Sequence, residues 1–239
     1  MNQDKTKGFT LIELMLAMTF ISILLVAIAM TTIQISKIYN KGITLREVNQ
    51  AGRSVSDDLQ RSISSSIPFD VTPKRDASPA TATSKYVVRD GGGRLCLGRY
   101  TYAWNYGRSI AGVSGAPTIL NEYDDNTPVR FAKVADPNAA LCTDPTLEIN
   151  RADATEMLAS GDRDLVVHAF DVMPGASDAT TGQTIYAISM IIGTNDSQTL
   201  TTNDASCKPP ADSEGSEDYC SVNQFNIIAR AGNKTGGSQ

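Results

Sequence analysis

The chain has 239 residues, enough for one membrane segment and a domain of moderate size, and a net charge of −5 from 21 basic and 26 acidic residues. That acidity argues against nucleic-acid binding spread over the whole surface, although it leaves room for a local basic patch. With one histidine, four cysteines and no C-x-x-C pair, the metal-centre reading is weak; without a G-x-S-x-G turn or a ligand cluster, no catalytic constellation is recognisable and no cofactor is expected.

The most informative stretch lies near the N-terminus. Residues 9 to 33 contain a single charge, Glu13, and as a helix would span roughly 37 Å, more than the about 30 Å of a bilayer core. Ahead of them lie eight polar residues, 1–8, with Lys5 and Lys7 on the side that the positive-inside rule keeps in the cytoplasm. A carboxylate in such a segment is costly and points to a function. Glu13 sits one helical turn above Phe9. If the chain were cut between Gly8 and Phe9, Glu13 would be placed to neutralise the new amino group, on its own chain or on a neighbour offset along the helix. Ala27-Ile28-Ala29 also fits a secretory cleavage site, and a plain signal anchor fits the apolar run, but neither accounts for Glu13.

Lys7-Gly8-Phe9-Thr10-Leu11-Ile12-Glu13-Leu14 resembles the cleavage and methylation motif of type IV prepilins and type II secretion pseudopilins. The resemblance is strong over residues 7 to about 63 and weak beyond. It implies that a prepilin peptidase in the inner membrane cuts after Gly8 and methylates Phe9, and that Glu13 serves filament assembly with other pilins. Such filaments serve adhesion, twitching motility, DNA uptake or secretion. Cleavage would leave 19 basic and 25 acidic residues, a net charge of −6. No proline interrupts the helix before Pro68, whereas many major pilins carry one, which tilts the reading towards a minor pilin or pseudopilin; Arg46-Glu47 through Arg61 and the large β head look similar to the W/J type.

Beyond Ile33 the helix pattern turns amphipathic. Leu45, Val48, Gly52, Val55, Leu59 and Ile63 recur at steps of three and four, with Arg46, Asn49, Arg53, Asp57 and Arg61 on other faces. Gly52 on that stripe invites close approach by a sheet. Gly42 reads as a local weak point. Pro68 pushes its predecessor out of helical geometry, so the helix should stop near Ser64 to Ser66, after roughly 85 Å. The expected fold is α+β, the type IV pilin fold implied by the resemblance: a long N-terminal helix whose second half packs on an antiparallel sheet. The expected divisions are a leader over 1–8, a membrane and filament-core helix over 9–33, an amphipathic helix over 34–66, a connecting loop over 67–84, a β-rich head over 85–231 and a disordered tail over 232–239.

Within the head, Tyr86 to Arg89, Asp90-Gly91-Gly92-Gly93 and Arg94 to Leu97 read as a hairpin about a glycine turn; neither G-K-[ST] nor a helix follows, so no phosphate loop is indicated. Tyr100, Tyr102, Trp104 and Tyr106 alternate and would share one face of a strand. The favoured reading is core, packed on the helix stripe. The alternative is an exposed aromatic platform which, with Arg94, Arg99 and Arg108, would suit DNA or a surface glycan. Residues 109 to 164 read as loops with short elements. Leu165 to Val172 and Thr184 to Ile192 read as a long hairpin around a Pro/Gly-containing turn, with His168 as a structural histidine, and Val222 to Arg230 as a final strand.

All four cysteines, Cys96, Cys142, Cys207 and Cys220, follow the membrane segment, so an exported domain with two disulfides is expected. Three pairings are possible; spacing favours Cys96 with Cys142 and Cys207 with Cys220. The acidic stretch from 193 to 220 is conceivable as a calcium site but lacks a D-x-D-x-D-G register, so a solvated loop is favoured.

Overall fold

The computed structural model describes residues 9–73, 83–110, 129–144, 147, 149, 153–158, 163–196, 198–201, 206–209 and 219–232. The leader with Gly8, Asp204, Asp212, Glu214, Glu217 and Asp218 of the acidic stretch, and residues 233–239 of the tail lie outside them.

A single helix, α1, runs from Leu11 to Ser64, 54 residues without a break and about 81 Å in length. It ends where Pro68 required: the Ser65 N–H closes back on the Arg61 carbonyl at 3.1 Å and the Ser66 N–H on that of Ile63 at 3.0 Å. Its buried side comprises Thr44, Val48, Ala51, Gly52, Val55, Leu59, Ser62 and Ile63. Leu45 does not belong to it, being 48% exposed. Thr44, 100° round the helix, takes the inward position and satisfies its hydroxyl on the Asn40 carbonyl at 3.0 Å. Gly52 is needed where it stands, because a Cβ there would fall inside the ring of Phe225.

The head carries two antiparallel sheets rather than one. The first orders β1 (Tyr86–Arg89), β2 (Gly92–Cys96), β3 (Tyr100–Asn105), β4 (Phe131–Ala135) and β5 (Ala154–Glu156) consecutively. The second is β6 (Leu165–Asp178), β7 (Gln183–Thr194) and β8 (Val222–Ala231). Two one-turn helices, α2 (Gly107–Ile110) and α3 (Ala140–Thr143), complete the described elements. Asp90-Gly91 closes the first hairpin. The β6–β7 hairpin runs further than the sequence suggests. Strand β6 continues through Pro174 to Asp178, with irregularities at Val167/Ala169 and Pro174/Ser177, and the turn falls at 179–182. Pro174 is tolerated because β6 is an edge strand and needs no N–H there.

The principal core lies between α1 and both sheets. Val48, Val55, Leu59 and Ile63 meet Tyr86, Leu95, Tyr102, Trp104 and Phe131 of the first sheet and Phe170, Tyr186, Ile188 and Met190 of the second. A second cluster, with Val87, Cys96, Ala103, Ala132, Leu141 and Cys142, covers the far face of the first sheet. Strand β3 is therefore buried on both faces from Thr101 to Asn105, aromatic on one and small on the other.

Candidate functional site

Two places carry the sequence-derived candidates, the start of α1 and strand β3. At the first, Thr10 caps the helix with extended backbone, φ −79° and ψ 151°. Its hydroxyl accepts from the Glu13 N–H at 3.4 Å, while Glu13 Oε2 accepts from both the Thr10 N–H and the Thr10 hydroxyl at 2.9 Å. This reciprocal capping box fixes a carboxylate at the positive end of the helix dipole, one turn from Phe9. Only Oε2 is engaged; Oε1 has no partner among the described residues. Phe9 itself is 85% exposed. An oriented carboxylate with one open oxygen is able to pair with an amino group.

No side chain of α1 from Leu11 to Tyr39 is covered by the chain itself, and this is one helix long and apolar enough to cross a membrane. Ser and Thr residues inside it turn their hydroxyls back onto helix carbonyls, as Ser22 does to Met18 at 2.8 Å and Thr32 to Ile28 at 2.9 Å. These hydroxyls are thus satisfied within the helix, which suits the apolar surface around them to a lipid or a neighbouring helix.

Strand β3 overturns the platform. Tyr102 and Trp104 have no exposed surface and Tyr106 is 7% exposed, so no flat ligand can stack on them; only Tyr100, at 40%, is open. Trp104 lies 4.2 Å from Phe170 and 6.2 Å from Phe131 between ring centroids, an aromatic core beneath α1. Gly93 across the β2–β3 ladder leaves the space that the indole occupies. The arginines do not converge either. Arg94 is 1% exposed and points into the second core, where its guanidinium donates to the Leu141 carbonyl at 3.0 Å and the Leu147 carbonyl at 2.8 Å. Arg99 and Arg108 stand beyond opposite ends of β3, Arg108 lying over the Tyr106 ring at 5.4 Å. The basic count of this segment was legible; which arginine the second core would bury was not.

The polar feature of β3 is instead a tie to the helix. The Tyr102 hydroxyl lies 2.6 Å from Ser62 Oγ and 2.5 Å from Asp58 Oδ2, both on α1. Lys133 on β4 closes on the two Asp58 oxygens at 2.9 Å and lies 4.2 Å above the Tyr100 ring. Burial, followed by the hydrogen bond to Asp58, pushes the Tyr102 phenol well above its ordinary range. No local pattern signals this quartet, because its members are 75 residues apart at the widest.

The disulfides join Cys96 to Cys142, pinning α3 to β2, and Cys207 to Cys220, closing the segment before β8. The Lys41 ammonium of α1 donates to the Cys220 carbonyl at 2.7 Å, linking that segment to the helix. His168 sits at the β6 irregularity with Nε2 3.1 Å from the Thr194 carbonyl, a structural position. No cluster of three or more metal-ligating side chains occurs among the described residues.

Comparison with protein families matches residues 4–31 to the prokaryotic N-terminal methylation motif. Neither the curated proteins nor the solved structures gave a match. The matched residues span the Gly8–Phe9 junction, Glu13 and most of the apolar half of α1, and the arrangement behind them, a long helix followed by antiparallel sheets, is like the type IV pilin fold. The methylation motif and the architecture are consistent with a type IV prepilin-like protein, and the motif points to a structural subunit and implies processing by a prepilin peptidase and assembly with other pilins.

Proposed function

We propose that this chain is a minor type IV pilin. It is cut after Gly8, methylated at Phe9, held in the cytoplasmic membrane by the apolar half of α1, and then incorporated into an extracellular pilus whose assembly it primes. The observation that carries the proposal is the orientation of Glu13 by the Thr10 capping box at the head of a helix of 54 residues that no proline interrupts. One carboxylate oxygen is held by the chain's own cap, and the other is free to meet the Phe9 ammonium of a neighbour. The unbroken helix supports a pseudopilin of a type II secretion system as a second reading, since it supplies the same straight apolar rod.

The test is the N-terminus of the protein recovered from the cell envelope, read by mass spectrometry. A chain beginning at N-methylated Phe9 is expected. A start at Met30, or an intact Met1, overturns the proposal. Deleting the gene then separates the two readings: loss of surface pili with secretion intact supports the pilin, and the converse supports the pseudopilin.

A further inference from the structure

Contacts along α1 fix which end of the head lies nearest its apolar half. The Lys41 ammonium donates to the Cys220 carbonyl at 2.7 Å, and the Asn223 side-chain amide donates to Asn49 Oδ1 at 2.7 Å. At the other end the Gly232 N–H reaches the Ser66 carbonyl at 3.0 Å. Strand β8 therefore runs beside α1 in the same direction, with Cys220 at the near end and Gly232 at the far one. The start of β6 lies at the near end too, because Leu165 pairs with Thr194 and Gly193 with Val222.

Two tyrosines stand open at this level. Tyr39, two residues before Lys41, is 68% exposed, and Tyr219, next to Cys220, is 46% exposed. Neither phenol hydroxyl has a partner among the described residues. Arg163, just ahead of β6, lies over the Tyr219 ring at 4.9 Å. Ile35, Lys37 and Ile38, all exposed, come just below on the helix. Apolar rings with a polar tip, set beside cations, favour the boundary between membrane and water over either phase alone. The depth agrees. Tyr39 stands 28 residues beyond Leu11, roughly 42 Å along a helix, and a bilayer with both headgroup layers is about 40–45 Å thick. With the start of α1 in the inner headgroup layer, Tyr39 reaches the outer one, and the contact between Lys41 and Cys220 brings Tyr219 and Arg163 beside it.

We propose that this end of the head docks on the outer leaflet of the membrane that α1 spans, with Tyr39 and Tyr219 seated among the headgroups and Arg163 holding a lipid phosphate. The proposal rests on the membrane-held stage of the reading above. Glu217 and Asp218 precede Tyr219 in the sequence, so the partner is the phosphate and glycerol layer that all phospholipids share, not a surface selected for negative charge. The Cys207–Cys220 disulfide and the Lys41 contact hold the docking segment against α1. Two contacts side by side, one on the helix and one on the head, limit the tilt of the subunit before assembly.

The test places single tryptophans in the full chain, held in phosphatidylcholine nanodiscs with and without nitroxide-labelled headgroups. The native Trp104 is fully buried, so it supplies a constant background, and its unchanged emission without nitroxide reports an intact core. Tyr39→Trp and Tyr219→Trp should lose most of their added emission to the nitroxide, whereas Ile67→Trp, exposed beyond the far end of α1, should keep it. Adding Arg163→Ala to Tyr219→Trp should restore part of the emission, and Arg163→Lys should not. Loss at Tyr39→Trp with Tyr219→Trp as bright as Ile67→Trp overturns the docking alone. Equal loss at Ile67→Trp means a head lying on its side and also overturns it. Emission kept at both Tyr39→Trp and Tyr219→Trp sinks the membrane-held reading, and this proposal with it.

Discussion

From Leu11 to Tyr39 every side chain of α1 lies open, Leu11 at 78% and Ile38 at 73%, whereas Val48, Val55, Leu59 and Ile63 further along the same helix have no exposed surface at all. The first half is predominantly apolar and lies uncovered by the chain, a surface suited to lipid or to other helices. The second is apolar along one stripe and finds its cover in its own head. Helix propensity is comparable in both, so what differs is which partner removes the apolar surface from water. Folding of the head and assembly of the subunit are thus separable properties of one element.

The largest expected effect breaks the two halves apart. Leu59→Ala empties a fully buried position in the principal core and should cost about 2–5 kcal/mol of head stability in a denaturant melt. Leu24→Ala, 45% exposed in the chain alone, should leave that melt in detergent unchanged. An equal loss from both would mean that the apolar half also packs on the head.

Next is the converse case. Glu13→Gln should leave the same melt untouched and reduce incorporation into the assembly by about tenfold to a hundredfold, the loss of one charge-assisted hydrogen bond. Quantifying the assembled and free pools would show it. Unchanged incorporation would leave the capping box as the whole role of Glu13.

The glycines of α1 sharpen the comparison further. Gly52→Val drives a side chain into Phe225 and should cost about 1–3 kcal/mol or more, with a lowered denaturant midpoint. Gly42→Ala meets nothing within 4 Å and should instead stabilise the helix by about 1 kcal/mol. A stabilising Gly52→Val would show that the β8 approach is looser than the Phe225 contact implies.

The helix was legible from Phe9 to its stop because hydropathy, the 3.6-residue period and Pro68 are all local signals. So were the hairpin at the glycine run, although Gly92 and Gly93 belong to β2 and only Asp90-Gly91 make the turn, and the two disulfide pairings, which lie close enough along the chain for spacing to rank them. The second core was not. Thr101, Ala103 and Asn105 look like the solvent side of an alternating strand, and only the return of the chain through Ala132, Leu141 and Cys142 buries them. The same return converts Arg94 from a surface cation into an internal clamp on two carbonyls. Leu45 misled for a smaller reason: a stripe drawn from apolarity alone runs one residue past the point where a threonine can face inward with its hydroxyl bonded to the helix.

The smallest effect concerns the tie between α1 and the first sheet, and pH reveals it. Burial holds the phenols of Tyr86 and Tyr102 above their ordinary range, the Asp58 carboxylate adding to the shift at Tyr102, so both stay neutral in the folded chain where the unfolded chain ionises near pH 10. Because the folded value is the raised one, their contribution is complete below about pH 10 and is lost as pH rises above it. Head stability should therefore fall on an alkaline limb. Tyr102→Phe should cost about 1 kcal/mol at neutral pH, since Asp58 keeps Lys133 while the helix loses the hydroxyl that joined Ser62 to Asp58. It should also make the alkaline limb shallower by removing one of four phenols that burial holds high, leaving Tyr86, Tyr106 and Tyr186. A melt series from pH 7 to 11 on both proteins measures the difference; identical limbs would place the alkaline sensitivity at Tyr86, Tyr106 and Tyr186 and leave Tyr102 as packing rather than as a joint between helix and sheet.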